Sequence, residues 1–266
     1  GEIELALKKE IPADLIEVKH IRGDLHIHTS ETDGRNTIDE MIRNAERKGY
    51  EYIAITDHSQ LVKIANGMDE KRLMIHADNV RKIAKKHKNI KVLVGIEVDI
   101  LKDGTLDLAD SALKELDIVI AAVHSNFSLD RETQTNRILK ALDNKYVNVL
   151  AHPSGRIIIK RSPMELDFDR IFRHAVNNRV FLEINTHGKR IDLNDVNSRR
   201  AKELGAMFVI DTDAHDLSHM DHLIYGVTAA RRGGLAKKDI LNTKRIKYLM
   251  KHFLFLKKWN GQKIYL

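Results

Sequence analysis

The sequence of 266 residues predicts an α/β protein, and more narrowly a distorted (β/α)7 barrel. Short runs of β-branched and aliphatic residues recur along the chain, and segments with helical spacing separate them. The runs are apolar at successive positions, which is typical of strands that are covered on both faces and pair in parallel through right-handed crossovers. Seven such units are enough to close a barrel rather than form an open sheet.

The predicted strands and helices alternate along the chain. The strands are Ile21–Ile27, Glu51–Thr56, Lys91–Val98, Leu116–Val123, Tyr146–Ala151, Val180–Asn185 and Ala206–Asp211. The clearest helix has an apolar stripe from Ile38 to Ala45, with Thr37 and Glu40 as a capping box and Gly49 as its end. Further helices are predicted at Asp69–Lys88, Asp130–Leu142, Phe168–Asn178, Leu193–Leu204 and Ala236–Leu256.

The chain contains no Gly-, Ser- or Pro-rich linker, internal repeat or low-complexity segment that would separate domains. We therefore expect a single domain over residues 1–266. Its parts are an N-terminal extension at residues 1–20, a metal-binding barrel core at residues 21–215, and a helical region at residues 216–266 that closes the barrel.

Composition narrows the classes of function. The chain has no cysteine, which excludes zinc ribbons, thiol catalysis and disulfide scaffolds. No apolar run approaches the roughly 20 residues that span a bilayer, and the first residues lack a signal-peptide pattern, so we expect a cytoplasmic protein without membrane contact. A formal net charge of +7 favours a polyanionic partner, although basic helix faces serve solubility equally well.

Histidine and acidic side chains stand at the ends of six of the seven predicted strands. In barrels of this kind the C-terminal strand ends converge on one rim. A single histidine there is more often a structural residue than a ligand, but so many imidazoles and carboxylates in one cleft are costly without cations. The candidate metal ligands are His26, His28, Asp33, His58, Glu97, His124, His152, Asp213 and His215.

Nine ligands are too many for one tetrahedral or octahedral ion, and they fit two or three divalent ions that share a bridging carboxylate. Mixed imidazole and carboxylate ligands suit zinc, manganese or iron, and ligand type does not select among those three. Such ions activate water for in-line displacement at phosphorus, which predicts phosphoester hydrolysis. Asp57 and Asp211 are expected to orient ligands, because metal-bound imidazoles usually donate their other N–H to a carboxylate or carbonyl.

The ligands belong to short motifs in a defined order. These are Asp24-Leu25-His26-Ile27-His28 with Asp33-Gly34, Ile55-Thr56-Asp57-His58, Gly95-Ile96-Glu97, Val123-His124-Ser125, Ala151-His152-Pro153 and Asp211-Thr212-Asp213-Ala214-His215. The series resembles the polymerase and histidinol phosphatase (PHP) family of phosphoesterases, which have a TIM-like barrel.

Within this family, Arg22-Gly23, the segment Glu97–Gly104 and the tail from Tyr225 to Thr243 are similar to the C-terminal domain of bacterial and archaeal family X DNA polymerases. That domain is associated with manganese-dependent 3′-5′ exonuclease activity and related processing of DNA ends. The resemblance therefore implies DNA as a partner and, in the natural chain, a polymerase domain upstream.

The resemblance also implies how the ligands are shared. One ion is held by His26, His28, Glu97 and Asp213, a second by Glu97, His124 and His152, and a third by Asp33, His58 and His215. Glu97 is then the bridge, and Glu97, His124 and Asp213 are the expected catalytic residues around a metal-bound hydroxide. In some relatives a histidine stands at the position of Asp33, which bears on the affinity and metal preference of the third site.

Basic residues near the predicted rim are candidates for substrate binding. Arg156 follows the fifth strand, and Lys189 and Arg190 follow the sixth, where each could stabilise developing negative charge. Arg35 could bind a phosphate beside the scissile one, and His187 could touch the substrate. Ordinary surface charge explains the basic residues equally well.

Three functions stay open at this stage. The positive charge and the polymerase-like tail favour a nuclease that acts on single-stranded or gapped DNA ends, including 3′ ends and abasic sites. A small-molecule phosphomonoesterase, such as a histidinol phosphatase, would use the same metals with a closed pocket. The third function is a non-catalytic stabilising module, and the complete ligand set weighs against it.

Overall fold

A computed structural model of the chain describes residues 2–258; residue 1 and residues 259–266, the end of the predicted C-terminal region, lie outside this description. Seven parallel strands lie side by side in chain order and form a nearly closed barrel, which confirms the predicted architecture. The strands are β1 (Gly23–Asp24), β2 (Tyr52–Ile55), β3 (Lys91–Asp99), β4 (Ile118–Ala122), β5 (Val149–Leu150), β6 (Phe181–Asn185) and β7 (Phe208–Asp211).

Helices connect successive strands on the outside of the barrel. The α-helices within residues 2–258 are α1 (Glu2–Leu7), α2 (Ile38–Arg47), α3 (Glu70–Ala84), α4 (Asp110–Leu113), α5 (Arg131–Leu142), α6 (Phe168–Asn178), α7 (Asp195–Glu203), α8 (Leu223–Arg232) and α9 (Ile246–Lys258). Short 3₁₀ helices span Val18–His20, Lys63–Ala65, Leu217–His222, Lys237–Asp239 and Leu241–Thr243. No helix in this part of the chain is both long and apolar enough to cross a membrane.

Apolar residues form one layer inside the barrel and another between strands and helices. Alternation along the strands separates the two, since Tyr52 and Ala54 pack inside whereas Ile53 and Ile55 face the helices. The C-terminal region also enters the inner layer, where Phe253 of α9 packs against Phe181 of β6. The Tyr52 hydroxyl donates to the carbonyl of Lys244, so the region before α9 lies at the end of the barrel opposite the strand C-termini.

The barrel closes between β7 and β1 without continuous strand pairing. One parallel bridge joins Ile27 to Ala214, and His28 N donates to the Ala214 carbonyl over 2.9 Å. Closure therefore occurs beyond the strand ends, at the residues that carry the first and last ligand motifs. This arrangement brings motifs that are almost two hundred residues apart into direct contact.

Between strands β1 and β7 themselves, a boundary that we call the seam, side-chain hydrogen bonds replace backbone pairing. Asp211 accepts from Leu25 N over 2.8 Å, Asp24 accepts from Thr212 N over 3.1 Å, and Asn242 donates to Asp211. Burial raises the pKa of Asp24 to about 6, and burial together with the charge of Asp24 raises the pKa of Asp211 well above its usual range. A seam made of side chains accounts for the distortion of the barrel.

Several predicted boundaries differ from the structure. The predicted strand Ile21–Ile27 is reduced to two residues because side chains carry its pairing with β7. The predicted helix Ala236–Leu256 is wrong, since Ile240 is extended and Asn242 turns into the seam before α9 begins. Helix α8 was not predicted. Its Gly226 lies so close to Thr186 and Ile210 that a Cβ would clash, which explains a glycine within a helix.

Candidate metal centre

The structure brings all nine predicted ligands together at the C-terminal mouth of the barrel. Glu97 lies at an inward-facing position of β3, and its carboxylate is at the centre of the cluster. Its carboxylate oxygens lie 3.4 Å from His26 Nε2, 3.5 Å from His28 Nε2, 2.9 Å from His58 Nδ1, 3.3 Å from His124 Nε2 and 2.8 Å from His152 Nε2. The central position of Glu97 suits a carboxylate that serves more than one cation.

Two further carboxylates lie around this centre. Asp213 Oδ1 is 3.1 Å from His28 Nε2, and Asp33 Oδ1 is 3.3 Å from His215 Nε2. Three groups have ligand atoms within 4.8 Å of one another: His28, Asp33, His58 and His215; His26, His28 and Asp213; and His58, Glu97 and His124. His28 and His58 thus lie between the sets to which the family resemblance assigns them.

Unpaired buried atoms indicate that the cluster is built for cations. His26 Nε2, both ring nitrogens of His28 and Glu97 Oε2 are buried and form no hydrogen bond with any residue between 2 and 258. Leaving such atoms unsatisfied costs free energy, and a bound cation removes that cost. Imidazole nitrogens and carboxylate oxygens are ligands that zinc, manganese and iron accept. The residues present therefore fit the metal ions that the motifs imply.

The electrostatics of the cluster show the same preference for positive charge. Burial opposes ionisation of Glu97, yet the neighbouring His124 and His26 hold its pKa well below the usual range. Burial likewise disfavours protonated imidazoles, but Glu97 and adjacent acids raise the pKa of His58 to about 10 and that of His124 to about 9. Without a metal, protons on His58 and His124 balance the nearby carboxylates, whereas burial lowers the pKa of His28 to about 4 and that of His152 to about 3.

Two acids that the motif analysis did not single out orient the ligands. Glu183 Oε1 accepts from His26 Nδ1 over 2.6 Å, and Asp99 Oδ2 accepts from His124 Nδ1 over 3.1 Å. Each bond leaves Nε2 of the imidazole facing Glu97. Glu183 lies two residues after Phe181 in strand β6, and Asp99 lies two residues after Glu97 in strand β3. Both acids therefore share the inward-facing side of their strands. An acid at an inward strand position is the signal that could have identified both.

The acids expected to orient imidazoles act elsewhere. Asp57 accepts from Thr29 N over 2.8 Å, and its carboxylate lies 3.1 Å from His76 Nε2, so it supports the loop that carries Asp33. Asp211 belongs to the seam between β1 and β7, where it accepts from Leu25 N. Both carboxylates stabilise the backbone beside the ligands rather than the imidazole of a candidate ligand.

The predicted substrate-binding residues lie at different distances from the cluster. Arg190 is close to it, since its Nε is 3.6 Å from Asp213 Oδ2 and its Nη1 is buried without a hydrogen bond among the described residues. Arg35 lies at the rim, where its side chain is 82% exposed and 3.7 Å from Asp216. Of these two, Arg190 is placed to reach a group bound at the centre.

The other three candidates surround the loop after β6. Arg156 donates from Nε and Nη2 to the carbonyls of Arg190 and Ile191, which holds its guanidinium against this loop. Lys189 is exposed, and its carbonyl accepts from the backbone of the preceding β5 loop. His187 is half-buried with its ring centroid 5.2 Å from that of His219, and burial lowers its pKa to about 4. None of these three contacts a ligand side chain directly.

Comparison with known proteins identifies the family. A model of the PHP domain matches residues 24–187, a range that runs from the last residue of β1 through β6 and includes seven of the nine candidate ligands. The chain belongs to the PHP domain family. This confirms the resemblance that the ligand motifs indicate, and with it a phosphoesterase.

Two sequence relatives and one solved structure illustrate the range of this PHP family. The chain is 42% identical over 234 residues to DNA polymerase/3′-5′ exonuclease PolX of Bacillus subtilis (strain 168), an alignment that covers 88% of this chain and 41% of that protein. It is 30% identical over 231 residues to a protein of Thermoanaerobacter sp. (strain X514) described as a probable phosphatase, covering 83% of this chain and 89% of that protein.

The solved structure is histidinol phosphate phosphatase from Lactococcus lactis in complex with zinc, L-histidinol and phosphate. It matches with a TM-score of 0.52 and 18% identity over 77% of this chain and 93% of that chain, which shows a shared fold. The present chain spans about two fifths of the length of the Bacillus polymerase and most of the length of the two phosphatases.

Proposed function

We propose that this PHP phosphoesterase is a nuclease that hydrolyses phosphodiester bonds at DNA ends in the 3′-5′ direction. The observation that carries the proposal is a complete ligand cluster around Glu97 in a chain 42% identical to part of an exonuclease polymerase. The formal net charge of +7 suits a polyanionic substrate. DNA is then the partner, and a polymerase domain elsewhere in the natural protein would share it.

Three sets of residues are proposed to hold the metal ions. The proposed sets are His26, His28, Glu97 and Asp213 for one ion, Glu97, His124 and His152 for a second, and Asp33, His58 and His215 for a third. Divalent ions at such sites lower the pKa of water and stabilise the entering and leaving oxygens at phosphorus. We propose manganese as the ion that supports activity.

The protein side chains supply orientation and charge around that chemistry. Glu183 and Asp99 hold the Nδ1 protons of His26 and His124, so the opposite nitrogens present lone pairs to the centre. Arg190 directs a buried Nη1 beside Asp213, where it can donate to a non-bridging phosphate oxygen. Because the two imidazoles are fixed by hydrogen bonds before substrate binds, little reorganisation of these ligands is required in the transition state.

A second candidate is a small-molecule phosphomonoesterase. It is favoured by the match to the Thermoanaerobacter protein, of which this chain covers 89%, whereas it covers 41% of the polymerase. The metal centre would serve either substrate, because both reactions displace an oxygen at phosphorus. The distinction therefore depends on what the surroundings of the centre bind.

A substrate screen separates the two functions. Metal-depleted protein is reconstituted with manganese, zinc or iron and incubated with 5′-labelled single-stranded DNA, DNA containing an abasic site, and histidinol phosphate. The nuclease gives a ladder of progressively shortened labelled products, and Glu97→Ala gives none. Phosphate release from histidinol phosphate with intact DNA would instead establish the phosphomonoesterase.

A further inference from the structure

A groove of about 570 Å³ is lined in part by the loop after β6, the loop whose Arg190 approaches Asp213 of the metal centre. Its volume falls within the range of small-molecule sites, roughly 300–1,000 Å³. Residues from four segments form its walls: the loop after β5, the loop after β6, the start of α7, and the helical segment from His222 to Arg232. The walls include Arg156, Gly188, Ile191, His222, Tyr225 and Arg232.

The groove and the metal centre share the loop that separates them. On its inner side, Arg190 lies 3.6 Å from Asp213. On the side of the helical segment, His219 Nδ1 accepts from the backbone N of the ligand His215 over 3.2 Å. A substrate whose phosphate occupies the centre therefore has the groove as an adjacent place for its next group.

A row of aromatic rings runs from the centre into the groove. The ring centroids of His219 and His222 are 5.1 Å apart with planes inclined by 23°, and those of His222 and Tyr225 are 5.5 Å apart. His187 adds a ring 5.2 Å from His219 on the facing loop. Tyr225 is 51% exposed and lies at the outer end of this row. Flat π-surfaces in such a row suit stacking against a nucleobase, whatever its sequence.

The charges on the groove walls suit a ring that carries phosphate. Arg156 donates to two backbone carbonyls of the β6 loop, which do not neutralise its positive charge, and the acid on which that charge acts is the buried Asp192. Arg232 pairs with Asp195 over 2.9 Å, which leaves the outer wall close to neutral. The positive charge of the groove walls is thus that of Arg156, beside the loop after β6 that separates the groove from the metal centre.

Building on the nuclease function proposed above, we infer that this groove holds the base of the nucleotide next to the scissile phosphate. The base stacks on Tyr225 and His222, and its own phosphate faces Arg156. Stacking of this kind tolerates any base, as an exonuclease requires, and it explains why exposed aromatic rings border a polar catalytic mouth.

The test compares a DNA strand with a strand of the same length whose terminal nucleotides are abasic, so that no base is available to the groove. For Tyr225→Ala, Tyr225→Phe and wild type, kcat/KM is measured on both strands with manganese. Loss of one stacked base should lower the ratio of the two values about tenfold in Tyr225→Ala, and Tyr225→Phe should keep it. Tyr248→Ala is the matched control, because Tyr248 is 50% exposed on α9, away from the groove.

A substrate variant makes the test specific for stacking. A single abasic residue is scanned through the nucleotides at the digested end, and wild type should lose about tenfold at one position. Tyr225→Ala should lose nothing more at that position, because the contact is already absent. Additive losses, an unchanged ratio in Tyr225→Ala, or an equal loss in Tyr225→Phe would each overturn the inference. Hydrolysis of the small diester methyl p-nitrophenyl phosphate with no cleavage of DNA by wild type would refute the nuclease function itself and the base site with it.

Discussion

Two parts of the metal centre are held in different ways: an inner half with His26, His124 and Glu97, and an outer half with Asp33. In the inner half, His26, His124 and Glu97 project from strand ends, and Glu183 and Asp99 fix both imidazoles. In the outer half, Asp33 is 35% exposed and projects from a loop. The inner half is therefore shaped before any cation binds, whereas the outer half depends on how well that loop keeps its conformation.

Hydrogen bonds to Asp57 and a close backbone approach at Gly34 hold the loop that carries Asp33. Asp57 accepts from Thr29 and Thr32 within it, and Gly34 approaches the His28 carbonyl so closely that a Cβ would clash. These contacts hold the backbone and leave the Asp33 carboxylate free to follow its cation. The difference between the halves indicates a strong inner site and a more adjustable outer one, and it can be tested at four points.

The largest effect is expected at the shared carboxylate. Glu97→Gln keeps the size of the side chain but removes the charge that several imidazoles face, so kcat should fall about 10³-fold or more on DNA and on methyl p-nitrophenyl phosphate. Metal content measured by mass spectrometry should fall in parallel. Near-normal activity at saturating manganese would show that Glu97 is not the bridge.

The next effect concerns the orientation of an inner imidazole. Glu183→Gln removes the carboxylate that accepts from His26 Nδ1, so the affinity for the inner cation should fall about 10- to 100-fold. Competition titration with a chromogenic chelator measures this affinity. Asp57→Asn is the comparison variant, since its contacts lie in the outer loop and it should leave the inner affinity within about threefold of wild type. Equal losses in both variants would remove the distinction between the halves.

A smaller effect is expected at the outer carboxylate. Asp33→Asn weakens one of the ligands of the exposed site, so the manganese concentration for half-maximal activity should rise about tenfold while activity recovers at high manganese. The inner affinity measured by the chelator assay should not change. A loss that manganese does not restore would place Asp33 in the inner half instead.

The smallest effect is a pH dependence of the metal-free protein. The folded-state pKa values of about 10 for His58 and about 9 for His124 lie above the ordinary value of 6.5, because Glu97 and nearby acids outweigh burial. Their stabilisation is complete below pH 6.5 and is lost as pH rises to 9 and 10. The free energy of unfolding in the presence of a chelator should therefore fall over that range.

Metal affinity should change in the opposite direction over the same range, because each bound cation displaces protons from these imidazoles. Calorimetry in buffers of different ionisation enthalpy measures the number of protons released. Release of none at pH 7 would contradict the protonated, metal-free cluster.

Much of the fold and the ligand set could be predicted because the patterns are local. Periodicity located the seven strands and the capped helix α2, since both depend on neighbours within a few residues. Strand-end histidines identified the ligands because a parallel barrel brings those ends together whatever separates them along the chain. The acids Glu183 and Asp99 were missed, since nothing near them in sequence names the imidazole that each one contacts.

By itself, the sequence determined the order of the seven strands, the family, and the nine residues that converge at the mouth. Tertiary structure alone decided which carboxylate meets which imidazole, that Asp24, Asp211 and Asn242 close the barrel, and that a ringed groove opens beside Arg190. The physical reason is the distance along the chain over which each kind of interaction acts. Backbone periodicity and parallel pairing follow from local sequence, whereas distances of about 3 Å between side chains depend on how distant loops pack.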